Sequence, residues 1–193
     1  MDGDGDILRH RVVEFVDKEN PCPSLVAFCG CYSPTWHATD LPTRYVADLM
    51  HEYTTEDDSE APVVALLSVG KTFLRRLICR AAVCGDVFKA CEGNPCVAQP
   101  VLPPYLSPKR IPDMYETLRT LSGDALNLDK VFTVLDMYMR TILRDSVRTA
   151  LVKGSFDAEC VAFAVRHDMA SFSRVKLVLQ RREAIISQSF MEL

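Results

Sequence analysis

Between residues 127 and 153 apolar side chains fall at Leu128, Val131, Phe132, Leu135, Tyr138, Met139, Ile142, Val147 and Leu151. The steps are mostly three and four, the period of a helix that turns one face inward. The spacing predicts one amphipathic helix, roughly 40 Å long at about 1.5 Å per residue. Asp129 near its start and Lys153 at its end suit the helix dipole. Gly154 is a stop signal. Two extended residues, Ser155 and Phe156, lead to Asp157, which is placed to cap a short helix from Ala158 to about His167. Asp168 is placed to cap a further helix with Phe172, Val175, Val178, Leu179, Ile185 and Ile186 on one face.

The first half of the chain echoes this pattern. Leu41 to Met50 reads as a short helix with Pro42 in its first turn. An acidic loop, Thr54 to Ser59, precedes a long helix from about Glu60 to Cys84 or beyond. Its inward residues are Val63, Val64, Leu67, Phe73, Leu74, Leu77, Ile78 and Ala81. Cys91 to Pro104 is a Pro-rich loop. A third helix begins near Ser107, with Pro108 at its first position, and ends by Gly123. All eleven prolines lie at or before Pro112. Strand signals are scarce, with no Asn-Gly hairpin and no sustained alternation. The expected class is all-α. Each long helix carries one apolar stripe and must bury it against something, and two such helices crossing would cover each other. Phe73, Leu74, Leu77, Ile78, Leu135, Tyr138, Ile142 and Phe163 are the expected pairing core.

Short, long, short is the layout of a histone fold, and particular residues extend that likeness. Phe156 to Asp168, FDAECVAFAVRHD, resembles the loop and short third helix of TBP-associated factor thirteen and of its relative, suppressor-of-Ty protein three. Phe172 to Leu179 continues the match. Ala65 to Phe73, ALLSVGKTF, is similar to the central-helix run of the TBP-associated factor eleven family, including a glycine that helix propensity disfavours. Leu106 to Ile111 resembles the entry to that family's third helix. The resemblance implies two histone folds on one chain, paired internally in a handshake. The order, eleven-like then thirteen-like, is opposite to that of suppressor-of-Ty protein three, and the loop from Cys91 to Pro104 is longer than the family's. The expected organisation is an acidic, Cys-containing extension over residues 1–36, a first fold over 37–122, and a second fold with a C-terminal helix over 123–193. Residues 107–122 fit either fold. The shortness of Ser122 to Leu126 assigns them to the first.

Composition narrows the function. Of 193 residues, 48% are hydrophobic and 25% charged, which excludes wholesale disorder. No apolar run approaches the length of a membrane span, and the start, Met1-Asp-Gly-Asp-Gly-Asp, does not read as a secretory leader. The formal net charge is −4, against the dense basic surface of a protein that coats DNA unaided. Residues 1–60 hold 13 acidic and 4 basic side chains, and residues 61–193 hold 13 acidic and 18 basic. A negative head on a mildly positive body points to a macromolecular partner, to shielding of the body by the head, or to a solvated tail.

The eight cysteines are Cys22, Cys29, Cys31, Cys79, Cys84, Cys91, Cys96 and Cys160. Cys22, Cys29, Cys31 and His37 are the candidate metal ligands, but they lack the paired C-x₂₋₄-C knuckles of structural zinc sites. Packed free thiols in a reducing compartment are the expectation. No catalytic constellation is present. Gly70-Lys71-Thr72 ends like a phosphate-binding loop, yet Ala65 stands where the upstream glycine belongs. His10, His37, His51 and His167 are scattered, and His167 at a helix end suits the dipole. No enzyme activity, cofactor or small-molecule substrate is expected.

Surface features remain. Arg75, Arg76 and Arg80 lie on one side of the first long helix, and Arg140, Arg144 and Arg148 on the second. With Asp136 and Asp145 nearby they form either a salt-bridged solvated face or a partner-docking ridge. Trp36, beside Tyr32 and Pro34, anchors the extension on the core or serves an interface. The resemblance implies a nuclear, non-enzymatic subunit of a TFIID- or SAGA-like transcription complex that binds the TATA-binding protein or other histone-fold subunits and meets DNA indirectly at most. Two other readings are a histone-like DNA-binding doublet and a small zinc-dependent helical adaptor.

Overall fold

A few residues that stop or start helices set the architecture. The computed structural model describes residues 41–54, 60–95, 97, 115–116, 118–120 and 126–191. Among them the regular structure is helical, with no strand. The helices are α1 (Thr43–His51), α2 (Glu60–Cys84), α3 (Val87–Ala90), α4 (Leu128–Lys153), α5 (Ala158–Ala164) and α6 (Met169–Met191). Residues 115, 116 and 118–120 are also helical.

Helices α2 and α4 end in the same way. The Gly85 N–H donates to the Ala81 carbonyl at 2.9 Å and the Gly154 N–H to the Ala150 carbonyl at 2.7 Å. Both glycines have positive φ, 67° and 90°, which L side chains adopt at a cost. An aspartate then opens the next helix. Asp86 Oδ1 accepts from the N–H groups of Phe88 and Lys89 at 2.8 and 3.0 Å. Asp157 Oδ1 accepts from those of Glu159 and Cys160 at 3.0 and 3.1 Å. Asp168 caps α6 as expected, through the N–H of Ala170 at 3.2 Å and the hydroxyl of Ser171 at 2.8 Å.

The chain forms two compact units. The described residues of the first come from Leu74–Met137, and the second comprises Leu41–Phe73 and Tyr138–Leu193. The first holds the C-terminal half of α2, α3, and the N-terminal half of α4. Its core includes Leu74, Leu77, Ile78, Leu118, Val131, Phe132, Val134 and Leu135. Tyr115 stacks near Phe132, ring centroids 5.8 Å apart, and its hydroxyl donates to Asp129 at 3.3 Å. Burial, then the Asp129 carboxylate, push the Tyr115 phenol above its ordinary range.

The second unit holds α1, the N-terminal half of α2, the C-terminal half of α4, α5 and α6. Tyr45, Val46, Leu49 and Met50 bury one face of α1, and Leu66, Val69, Met139, Ile142, Leu143 and Val161 are buried with them. The rings of Phe73 and Tyr138 stack with centroids 3.8 Å apart and planes 4° from parallel. Gly70 lets α2 approach its neighbours closely. A Cβ there would lie 2.3 Å from Leu41 Cδ1 and 2.9 Å from Met139 Sδ.

Several expectations need correction. The four-residue helix α3 occupies chain expected to extend α2 or to form loop. Helix α5 stops at Ala164 rather than near His167: the Arg166 N–H bonds the Phe163 carbonyl, three residues back, and residues 165–167 form a turn. Leu151, expected to face inward, is 80% exposed. The buried row at the end of α4 runs through Ile142, Ser146 and Ala150, and Leu151 lies one residue off it. Ser146 is tolerated there because its hydroxyl donates to the Ile142 carbonyl at 2.7 Å.

Candidate interaction surfaces

Within the first unit, Leu74, Leu77 and Ile78 of α2 and Leu135 of α4 are buried, each at most 2% exposed. Within the second, Phe73, Tyr138 and Ile142 are buried as well. Large apolar side chains removed from water in this way contribute about 1.5–3 kcal/mol each. Phe163 is the exception to the expected set. It is 51% exposed, on the outer side of α5, and the Arg166 guanidinium carbon lies 3.9 Å from its ring centroid. Its neighbours Cys160 and Val161 supply the buried side of that helix.

The arginines of the expected ridges are largely engaged. Arg140 is bonded to both carboxylate oxygens of Glu52, at the end of α1. Asp145 accepts from Arg148 at 3.4 Å and lies 3.9 Å from Arg144. Arg75 and Arg76 also have partners. Asp136 is buried and partnered rather than part of a solvated face. Arg140, Arg144 and Arg148 of α4 are thus salt-bridged, and Arg80 of α2 is exposed.

Two hollows accompany the helix ends. In the first unit a small cavity of about 60 Å³ lies where Gly85, Asp86 and Val87 face Leu126, Asn127 and Lys130. Lys130 sits 5.2 Å from the centroid of the Phe88 ring. The Lys89 N–H holds the Asp86 carboxyl below its ordinary range against desolvation, with help from the Phe88 N–H and from Lys130. In the second unit an open groove of about 490 Å³ runs between His51–Thr54 and a wall of Val147, Ala150, Leu151 and Phe156. Its only described carboxylate, Glu52, is tied to Arg140.

Lys153, at the end of α4, bonds Asp157 and Glu159. These bonds, Asp157 first, raise the Lys153 pKa above its ordinary range. Partial burial pushes Asp157 up, but Lys153 and the Cys160 N–H outweigh it, and the carboxyl sits below its ordinary range. The cysteines Cys79, Cys91 and Cys160 are buried free thiols, and Cys84 is exposed. Burial pushes the Cys91 and Cys160 thiols up, which makes them poor nucleophiles at neutral pH. Among the described residues no group of three His, Cys, Asp or Glu side chains is placed to hold a metal. The candidate ligands Cys22, Cys29, Cys31 and His37, and Trp36, lie outside the described residues. Gly70-Lys71-Thr72 lies in the middle of α2, where the backbone amides are spent on the helix. No described helix is long and apolar enough to cross a membrane.

Sequence patterns missed one surface feature, the partnerless cations on the outer side of α6. Arg174 and Arg181 are exposed, and among the described residues neither has a carboxylate partner. Interleaving of Arg with Leu177 along that helix was the available signal. No protein-family model matches the chain, and no curated protein or solved structure is significantly similar to it.

Proposed function

We propose that the chain is a double histone-fold protein: a non-enzymatic, nuclear scaffold subunit of a TFIID- or SAGA-like transcription complex that binds the TATA-binding protein or neighbouring histone-fold subunits. The observation that carries this reading is the repeated boundary chemistry. Helices α2 and α4 each end at a positive-φ glycine, and an Asp-capped short helix follows within a few residues. With Val87–Ala90 as the third helix of the first fold, the order short, long, short is complete by Ala90. The helical residues around 115–120 then open the second fold, a reversal of the assignment made from loop length. The Tyr115–Phe132 and Tyr115–Asp129 contacts, onto the first turns of α4, support that placement.

The composition of the compact units supports internal pairing. Each unit takes the first half of one long helix and the second half of the other. A chain of two side-by-side folds would instead divide once, in the connecting segment. A histone fold does not bury its long helix alone, so pairing within one chain gives a self-sufficient scaffold. The resemblance of Phe156–Asp168 and Ala65–Phe73 to the TFIID and SAGA families then supplies the partner class.

The test is affinity capture of the tagged, full-length chain from nuclear extract. Recovery of the TATA-binding protein with further TFIID or SAGA subunits supports the proposal. Recovery of cytoplasmic proteins alone overturns it. Salt-dependent binding of duplex DNA by the purified chain, at affinities expected of a histone pair, favours the DNA-binding doublet instead.

A further inference from the structure

The large apolar side chains exposed among the described residues are Leu151, Val152, Phe163, Met169, Leu177 and Ile186. All belong to the second unit, and four of them lie on α5 and α6. On α6, Arg174, Leu177 and Arg181 follow one another at steps of three and four, which sets them in one row. All three are exposed. Met169, 67% exposed, opens the same helix, and Phe163 on α5, just before it, lies beneath Arg166.

Charge distinguishes this face from much of the unit. Arg140, Arg148, Lys153 and Arg182 each meet a carboxylate. Arg174 and Arg181 meet none among the described residues. Over residues 161–187 the sequence holds five arginines and lysines against two acids, Asp168 and Glu183. Asp168 is engaged as the α6 cap. The result is an exposed leucine flanked by two arginines that have no counter-charge among the described residues.

We infer that the outer face of α6, with Arg174, Leu177 and Arg181 as its centre and Phe163, Arg166 and Met169 at its end, docks an acidic amphipathic segment of a partner protein. An apolar partner alone leaves two desolvated guanidinium groups without carboxylates. A nucleic acid strand supplies phosphates, but one face of the Phe163 ring is already covered by Arg166, and Leu177 and Met169 offer no π surface for a base. A helical segment with acids spaced two turns apart and apolar residues between them satisfies both features at once. From Arg174 to Arg181 the row spans about 10 Å, two helical turns. The inference rests on the surface of this helix and not on the promoter-complex reading.

The test uses the full-length chain and a fluorescein-labelled peptide of about sixteen residues, with Glu spaced two turns apart and Phe and Leu between them. Fluorescence anisotropy is expected to show saturable binding that weakens with added salt. The double variant Arg174→Glu/Arg181→Glu is expected to lose at least about tenfold in affinity, and Leu177→Ser to weaken binding too, because both ion pairs and apolar anchors contribute. All three residues are exposed, and an unchanged circular dichroism spectrum shows that the variants fold. The same peptide with Lys in place of Glu should not bind. The inference is overturned if the arginine variant binds the acidic peptide as well as the parent. Equal binding of polyglutamate or of labelled duplex DNA also overturns it, since the face would then be a general polyanion surface. So does a concentration-dependent dimer that Leu177→Ser abolishes, which would make a second copy the occupant.

Discussion

Gly70→Ala separates local propensity from packing. Gly70 lies inside α2, where alanine should gain about 0.5–1 kcal/mol by propensity alone. The new Cβ, however, would sit 2.3 Å from Leu41 Cδ1, 2.9 Å from Met139 Sδ and 3.3 Å from Met139 Cε. Both neighbours are the ends of flexible side chains, but both are packed, Leu41 7% exposed and Met139 fully buried. Displacing them belongs to the class of overpacking changes that cost about 1–3 kcal/mol. The balance is a net loss of about 1 kcal/mol, or about 2–4 °C in melting temperature for a chain of this size. Urea unfolding followed by circular dichroism measures it. Leu41→Ala removes the nearest obstacle, so the double variant should be less destabilised than the two single changes added together. A Gly70→Ala protein more stable than the parent, by the amount propensity predicts, would refute the close approach of α2 to Leu41 and Met139.

Other outcomes follow from the same packing. Leu74→Asp and Ile142→Asp each place an unpaired charge at a site no more than 1% exposed, and each should abolish cooperative thermal unfolding at neutral pH. Tyr138→Ala should cost about 3–5 kcal/mol in urea titrations, as other large-to-small aromatic core changes do, because it removes the ring stacked on Phe73. Asp157→Ala removes the α5 cap and should cost about 1 kcal/mol, whereas Asp157→Asn keeps a capping oxygen and should cost less. The Asp157 carboxyl is held below its ordinary value of 3.8. Its contribution is therefore present above the unfolded pKa and lost as pH falls through the folded one. Lys153 is raised above 10.5, so its contribution is present below that value and lost at strongly alkaline pH. Melting curves from neutral to acid pH should show a smaller loss of stability for Asp157→Asn than for the parent.

The helices were legible where chemistry punctuates them. Gly154, Asp157 and Asp168 each perform the stop or cap that their position implied, because capping depends on the local backbone alone. Val87–Ala90 escaped because four residues are too few to show a period, although Gly85 and Asp86 announced it. Leu151 escaped because periodicity gives a face its width but not its edge, and it lies one residue beyond the buried row; Phe163 stands two residues from both Val161 and Val165, on the side away from them. Ser146 and Ser171, both fully buried, were invisible as core residues. Their hydroxyls are satisfied by Ile142 and Asp168, which only coordinates reveal. Pairing partners distant in sequence, such as Glu52 for Arg140, cannot be read from spacing on one helix.

Internal pairing is the claim on which the functional proposal stands, and sedimentation equilibrium of the purified chain at micromolar concentration tests it directly. A histone fold that lacks a partner must find one in a second molecule, whereas two folds closed on each other need none. The expected result is the mass of a single chain with no dependence on concentration. An obligate dimer that unfolds as it dissociates would contradict it.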